Sequence, residues 1–204
     1  YNTHSYDYVI SQQPCRSLFN EKYFVFLDSH IVCHDDLLIL NARFENEGIY
    51  YNEMNKFFCD FERVTGFKVI VAAHPRADSS YTQKMFPQHA VFESSTNCLV
   101  KHSSGCFTHF STAVNFALFP HKPIIFLTSD RLVRRAHEID MYASWFGRKP
   151  INISSGIPVG FKETFLESVP SPLTHDFISK YVGDFSQSLN DVYQQSLHIS
   201  YDVY

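Results

Sequence analysis

The stretch that decides the fold is FKVIVAAHPRAD, residues 67–78. Its first half is a continuous apolar run with β-branched residues, which is typical of a strand covered on both faces. The run stops at His74, and Pro75 fixes the chain direction there and biases His74 towards an extended backbone. The stretch therefore predicts a buried strand that delivers His74, Pro75 and Arg76 to its carboxyl end.

On the amino-terminal side, a second apolar run and an amphipathic helix precede this strand. The run YFVFL, residues 23–27, predicts a buried strand that ends at Asp28. Between about Glu47 and Thr65 the apolar residues recur at helical spacing, and Gly66 follows as a helix stop. A strand, a helix and a second strand in this order predict a parallel βαβ unit.

On the carboxyl-terminal side the same alternation continues. Short strands are predicted at 89–92, 105–110, 122–128 and 150–153, with helices at about 96–103, 111–120 and 130–146. After the prolines at 170 and 172, two helical stretches follow at about 173–182 and 185–197. The predicted fold class is therefore α/β, a doubly wound and mostly parallel Rossmann-like sheet with C-terminal helices.

Composition limits the class of protein. The chain has 204 residues, 45% of them hydrophobic, and a formal net charge of −4, so it can bury a core and offers no broad basic field for nucleic acid. Its five cysteines are scattered without a C-x-x-C pair, which predicts buried free thiols in a reducing, cytoplasmic compartment. No uncharged stretch is long enough to predict a transmembrane segment.

The chain opens at Tyr1 rather than at Met, so we expect it to be part of a longer protein. Residues 1–21 are interpreted as an N-terminal lead-in or interdomain segment. Residues 22–160 form the predicted Rossmann-like nucleotide-binding domain, and residues 161–204 a C-terminal helical extension.

Polar residues follow several of the predicted strands, at the edge where open parallel sheets bind ligands. Ser111 and Thr112 lie where a strand gives way to a helix, so their hydroxyls and free backbone N–H groups could bind a phosphate. A simple helix N-cap is the alternative for this pair, and a histidine bonded to a loop is the alternative for His74. The candidate residues for the whole nucleotide site are Asp28, His74, Pro75, Arg76, Thr96, Ser111, Thr112 and Asp130.

Several other sites are excluded or disfavoured by their motifs. The chain has no glycine-rich phosphate loop of the dinucleotide or P-loop type, and no G-x-S-x-G nucleophile elbow. His30, His34, Asp35 and Asp36 match no established metal-ligand spacing, and a solvated loop is the better interpretation. We therefore expect neither a metal nor a cofactor in the site.

The strings VIVAAHPRAD and THFSTAVNFALFPHKPIIFLTSD, together with YFVFLDSHIVCHDD, resemble the donor-binding half of bacterial GT-B glycosyltransferases. In particular they are similar to the sialyltransferase-like and Kdo-transferase-like enzymes of capsule and lipopolysaccharide biosynthesis. These carry a His-Pro motif and a Ser-Ser or Ser-Thr motif, matched here by His74-Pro75 and Ser111-Thr112. The resemblance covers about residues 22–155.

This resemblance implies a metal-independent transfer of a sugar from a nucleotide donor, a CMP-activated 2-keto acid sugar, to a glycan or lipid-linked glycan acceptor. His74 would contact the donor phosphate and assist departure of CMP, while Ser111 and Thr112 would hold that phosphate. From its place at the end of the first predicted strand, Asp28 is the candidate general base or nucleophilic carboxylate within this chain, and a loop-capping aspartate is the alternative interpretation. In the sialyltransferase pattern the base comes from the other GT-B domain. Thr96 and Asp130 could contact the ribose or the base. The location implied is cytoplasmic, including peripheral association with the inner membrane.

Two other classes of function remain open. A polyol-phosphate transferase or a nucleotide-sugar epimerase would use histidine and hydroxyl side chains at the same strand ends. A non-catalytic nucleotide-binding module would keep the site without the chemistry. Product analysis with different activated donors would separate these functions.

Overall fold

In the computed structural model of the chain, residues 6–11, 13–32, 47–118 and 120–166 are described. Within them, parallel strands form a six-stranded sheet in the order β3-β2-β1-β4-β5-β6. This is the order of a doubly wound Rossmann-like sheet, so the predicted fold class is confirmed. The strands are β1 Tyr23–Leu27, β2 Lys68–Ala72, β3 Ala90–Phe92, β4 Gly105–Thr108, β5 Ile124–Thr128 and β6 Ile151–Asn152.

Helices connect the strands and cover both faces of the sheet. The described residues also form 3₁₀ turns at Thr112–Val114, Val133–Arg135 and Ile153–Ser155, of which the first two lead directly into α-helices. The α-helices are α1 Tyr6–Ser11, α2 Glu47–Thr65, α3 Ser79–Met85, α4 Thr96–His102, α5 Asn115–Leu118, α6 Ala136–Ser144 and α7 Phe161–Phe165.

The central strand β1 divides the core into two layers. All five of its residues are buried. Because successive strand side chains point to opposite faces, Phe24 and Phe26 pack on the side of α2, and Val25 packs on the side of α4 and α5. This burial on both faces is the reason that β1 is a continuous apolar run in the sequence.

The layer under α2 is built of aromatic rings. Phe61 of α2 meets Phe107 of β4 edge-to-face at 4.9 Å and Phe24 at 5.0 Å between ring centroids. Such pairs each contribute about 0.5–1.5 kcal/mol beyond the area they bury. Phe161 of α7 is also buried in this layer, with its ring centroid 5.6 Å from that of Phe61.

The predicted helix between β1 and β2 is confirmed over its full length, Glu47–Thr65. Its buried residues are the apolar ones at helical spacing, Tyr50, Met54, Phe57, Phe58 and Phe61. Three other connections differ from the prediction. The helix predicted at 130–146 begins later, as the 3₁₀ turn Val133–Arg135 followed by α6. Helix α3 was not predicted; it begins after Asp78, whose carboxylate caps it by accepting the N–H of Ser80 at 2.8 Å. The helix predicted at 111–120 is instead a 3₁₀ turn followed by the single turn of α5.

The predicted C-terminal helices at 173–182 and 185–197 lie outside the described residues, and the three-part division of the chain stays a prediction. No helix in the part of the chain that the structure describes is both long and apolar enough to span a membrane.

The segment before β1 is docked on α4, whereas its sequence shows no clear period. Asn97 of α4 donates from Nδ2 to the carbonyl of Ile10 at 2.9 Å. Lys101 donates from Nζ to the carbonyls of Ser11 and Gln13 at 3.1 and 3.0 Å. Because these carbonyls lie at and beyond the C-terminal end of α1, side chains of α4 satisfy backbone groups that α1 cannot satisfy itself.

Candidate functional site

A cleft of about 260 Å³ lies at the carboxyl ends of β1, β2 and β4. The strand order reverses between β1 and β4, and ligands of open α/β sheets bind at this topological switch point. The cleft brings together six of the residues predicted for the site, Asp28, His74, Pro75, Thr96, Ser111 and Thr112. The other lining residues are Asp7, Leu27, Ala72, Ala73, Ala113 and Phe116.

Asp28 directly follows β1 and is held by backbone groups. Its Oδ1 accepts the N–H of His30 at 2.9 Å, and its carboxylate also accepts the backbone N–H of His74. Burial raises the pKa of the Asp28 carboxyl above its ordinary value of 3.8, and the two N–H donors offset part of this effect. The side chain is therefore a fixed carboxylate whose negative charge is stabilised less well than in water.

His74 follows β2 and carries its ring hydrogen at a defined atom. The backbone N–H of Arg76 donates to His74 Nδ1 at 3.2 Å, so Nε2 is the nitrogen that carries hydrogen in the neutral ring. The ring also stacks on that of His30, with centroids 5.7 Å apart and planes inclined by 14°. His30 itself has a φ of 50°, a strained left-handed conformation for a non-glycine residue. In the neutral ring, Nε2 is thus the nitrogen that can donate a hydrogen bond.

Ser111 lies after β4, where it caps the first turn as its alternative interpretation expects. Its Oγ accepts the N–H of Ala113 at 3.3 Å, and its carbonyl accepts the hydroxyl of Tyr142 at 3.1 Å. An N-cap oxygen keeps its own O–H as a donor, so capping and phosphate binding are compatible. Thr112 is exposed beside it and lines the same cleft.

Two further side chains reach the cleft from helices. Thr96 is the first residue of α4. Asp7 of α1 accepts a hydrogen bond from Asn115 Nδ2 on its Oδ2 at 2.8 Å. The sequence analysis did not identify Asp7, because it lies near the start of the chain and follows no strand; only docking of α1 on α4 and α5 brings it to the site.

Arg76 and Asp130 are not among the described residues that line the cleft. Arg76 is exposed and contributes its backbone N–H to His74. Asp130 accepts a hydrogen bond from Asn152 Nδ2 at 2.7 Å, and its own N–H donates to Ser154 Oγ at 3.0 Å. These bonds tie Asp130 to the loop after β6 rather than to the cleft.

The strand end at β5 therefore belongs to a separate polar network around Glu53 of α2. Ser129 and Ser154 each donate from Oγ to Glu53 Oε2, at 2.8 and 2.7 Å. Arg131 donates from Nε to Glu53 Oε1 at 3.3 Å. The network joins α2 to the loops after β5 and β6, which is a structural use of polar strand-end residues.

His109 is another polar strand-end residue with a structural role. It is fully buried, with Nδ1 donating to the carbonyl of Leu127 at 2.7 Å and Nε2 accepting the hydroxyl of Tyr50 at 2.7 Å. Burial lowers the pKa of His109 to about 4, so the ring is neutral at physiological pH. Both ring nitrogens are used within the core, and His109 is not among the residues that line the cleft.

The chain is similar to a solved structure but matches no known family. No protein-family model and no curated protein matches the chain. A solved structure that is similar to it is described as "Crystal Structure Analysis of the Glycotransferase of kitacinnamycin", with a TM-score of 0.41 and 11% sequence identity. The match covers 82% of this chain and 40% of that chain, so this chain corresponds to less than half of the other protein.

Proposed function

We propose that this chain is the donor-binding part of a glycosyltransferase that takes its sugar from a nucleotide. The observation that carries the proposal is the cleft at the switch point, which gathers Asp28, His74 and Ser111 from three different strand ends. A hydrogen-bond donor, a hydroxyl and a buried carboxylate in one cleft are the groups that glycosyl transfer from a phosphate leaving group requires.

For the donor, we propose a CMP-activated 2-keto acid sugar, with a glycan or lipid-linked glycan as acceptor. The support is the order and spacing of His74-Pro75 and Ser111-Thr112, which resemble the motifs of sialyltransferase-like and Kdo-transferase-like enzymes. Both motifs line the same cleft.

Each of these side chains has a distinct role in the proposed reaction. Breaking the anomeric C–O bond places negative charge on the departing phosphate, and His74 Nε2–H would donate to it together with the hydroxyls of Ser111 and Thr112. Asp28 would accept the proton of the attacking acceptor hydroxyl. The raised pKa of Asp28 suits this role, because a base is more effective when its pKa lies nearer to the working pH. These donors stabilise the leaving group without a divalent metal.

The cleft is small for the complete substrate. Ligand sites commonly enclose about 300–1,000 Å³, whereas this cleft encloses about 260 Å³. We infer that the described residues bind the phosphate and adjoining groups, and that further residues complete the donor and acceptor sites.

The proposal is tested by calorimetric titration of the protein with CMP, CDP, UDP and GDP, with and without Mg²⁺. We expect CMP to bind most tightly and without a metal requirement. His74→Ala and Ser111→Ala should each weaken CMP binding by roughly 10- to 100-fold, because each removes one donor to a charged phosphate, worth about 1.5–3 kcal/mol. Matched controls are His137→Ala and Ser144→Ala, two exposed side chains on α6 outside the cleft.

Wild-type affinity in both cleft variants would refute the phosphate site. If CMP binds as expected, product analysis with CMP-sugar, CDP-glycerol and UDP-sugar donors then decides the chemistry. Transfer from CDP-glycerol, epimerisation of a UDP-sugar or binding without turnover would replace the glycosyltransferase with one of the alternative functions.

A further inference from the structure

Two cysteines and a histidine form a cluster outside the cleft. The potential ligand atoms of Cys15, Cys98 and His102 all lie within 4.8 Å of one another. Cys98 and His102 are four residues apart on α4, a spacing that places both on one helical face. Cys15 comes from the segment before β1 and is 87 residues from His102 in the chain.

The histidine of this cluster is hydrogen-bonded to a backbone carbonyl. Its Nε2 is 2.9 Å from the carbonyl oxygen of Cys15. Since a carbonyl can only accept, Nε2 carries the hydrogen and Nδ1 keeps the lone pair. Metal-ligating histidines typically donate their other ring N–H to a carbonyl or carboxylate in this manner.

The Cys98 thiol is hydrogen-bonded to a backbone carbonyl and lies next to Cys15. The Cys98 thiol donates to the carbonyl of Arg16 at 3.0 Å. Burial and the neighbouring Cys15 raise the pKa of Cys98 to about 11, so this thiol is protonated when no cation is near it. The sequence analysis predicted buried thiols, but Cys15, Cys59 and Cys98 are only half-buried, and Cys106 is the described cysteine that is fully buried.

We propose that Cys15, Cys98 and His102 bind a Zn²⁺ ion. Two sulfurs and one imidazole nitrogen are a ligand set that zinc prefers. With Zn–S near 2.3 Å and Zn–N near 2.0 Å, the ligand atoms of a tetrahedral site are about 3.5–3.8 Å apart. The three ligand atoms here are separated by up to 4.8 Å, so they must approach one another by up to about 1 Å to bind the ion. Each thiol loses its proton to solvent as its sulfur binds, and a water or another group takes the fourth position.

The location of the site lets the ion join two elements of the fold. Cys15 lies between α1 and β1, and the other two ligands lie on α4, so the ion would fix the segment before β1 to that helix. The same two elements supply Asp7 and Thr96 to the cleft, whereas none of the three ligands is among its described lining residues. The ion would therefore stabilise one wall of the cleft without taking part in glycosyl transfer.

The experiment measures metal binding by the purified full chain, kept reduced so that a Cys15–Cys98 disulfide cannot remove two ligands. After chelation, one equivalent of Co²⁺ is added as a spectroscopic probe for Zn²⁺. We expect thiolate-to-cobalt absorption and intense tetrahedral bands at one ion per chain, which Zn²⁺ then displaces. Zn²⁺ should also raise the melting temperature of the wild-type protein.

Two variants test the ligands, and a third is the control. Cys98→Ser and His102→Gln should each weaken Co²⁺ binding by more than the roughly 10–100-fold that loss of an outer-shell partner costs. Cys59→Ser is the matched control, because Cys59 is also half-buried but bonds Gln88 on the other side of the sheet. Circular dichroism verifies that each variant is folded. If Cys98→Ser or His102→Gln is not folded, Cys15→Ser is measured in its place.

Absence of the thiolate bands in the reduced wild-type protein would overturn the proposal. Equal losses in Cys59→Ser and Cys98→Ser would overturn it as well. Nucleotide titrations do not enter this test, so its outcome is independent of the proposed glycosyltransferase activity.

Discussion

Burial of His109 makes the stability of the folded protein depend on pH. Its pKa falls from 6.5 to about 4 on folding, so the unfolded chain binds the proton more readily than the folded protein does. Stability from this residue is therefore complete above pH 6.5 and is lost as the pH falls towards 4. A difference of this size corresponds to about 3 kcal/mol.

The measurement is urea unfolding of wild type and His109→Gln at pH 7, 5.5 and 4.5. We expect the wild type to be more stable at pH 7 because His109 bonds both Leu127 and Tyr50. The difference between the two proteins should shrink as the pH falls. A difference that is constant across this range would show that His109 does not stay neutral in the folded state.

The effect of Asp28 on stability changes with pH in the opposite direction. Its folded pKa lies above 3.8, so the folded protein holds this proton more tightly than the unfolded chain does. Below pH 3.8 both states are protonated and the cost vanishes, whereas stability is lost as the pH rises from 3.8 through the folded pKa. The carboxylate is thus maintained at the site at a cost to stability.

Asp28→Asn should therefore melt at the same temperature as wild type or higher at pH 7, and the gap should close towards pH 4. Asparagine keeps one acceptor oxygen, which can still accept the N–H of His30. Thermal melts at both pH values measure this effect. If Asp28 is the general base, the variant also loses turnover while it keeps CMP affinity. A lower melting temperature at pH 7 would contradict the cost assigned to the charge.

At the scale of the elements, close approach of two strands requires glycine at the start of β4. A Cβ built on Gly105 would lie 2.5 Å from ring atoms of Phe24 and 2.9 Å from the carbonyl oxygen of Pro123. Because Phe24 is packed among Phe61, Phe67 and Phe107, its ring has no free direction in which to move. The pairing of β1 with β4 at the switch point therefore depends on this glycine.

Gly105→Ala should lower the free energy of unfolding by about 1–3 kcal/mol, the usual cost of overpacking a core. Gly48→Ala is the matched control, since no atom lies within 4 Å of its added Cβ in the first turn of α2. The control should be neutral or stabilising by up to about 1 kcal/mol. Urea denaturation compares the two. Equal free energies of unfolding for Gly105→Ala and Gly48→Ala would indicate that β1 and β4 separate easily at this position.

At the scale of the whole molecule, a ligand bound to the folded state alone raises its stability. The cleft draws residues from β1, β2, α1, α4 and α5 and from the 3₁₀ turn that follows β4, so a bound nucleotide would contact several elements at one edge of the domain. A concentration one hundred times the Kd adds about 2.7 kcal/mol.

For a domain of this size we therefore expect CMP to raise Tm by roughly 5–10 °C. A thermal-shift titration measures this change, and His74→Ala should need a higher concentration for the same shift. A nucleotide that shifts the wild type and His74→Ala equally does not use the His74 side chain, which would contradict the proposed contact of His74 with the phosphate.

Much of this architecture could be predicted from local pattern. The apolar runs at β1 and β2 and the helical spacing of α2 are dictated by burial on two faces or on one, which the sequence records residue by residue. The predicted positions of Asp28, His74 and Ser111 at strand ends follow from the same pattern, because parallel strands all deliver their next residues to one edge of the sheet.

Other features depend on where elements meet in space. His109 and Ser111 follow the same strand, but His109 is enclosed by α2 and β5 whereas Ser111 faces the cleft. Asp130 also follows a strand, and contacts with the loop after β6 hold it away from the cleft. In the same way, Asp7 joins the site and Cys15 joins Cys98 because the segment before β1 docks on α4. Periodicity records the solvent exposure of each residue, whereas contacts between residues far apart in the chain exist only after the whole sheet and its helices have packed.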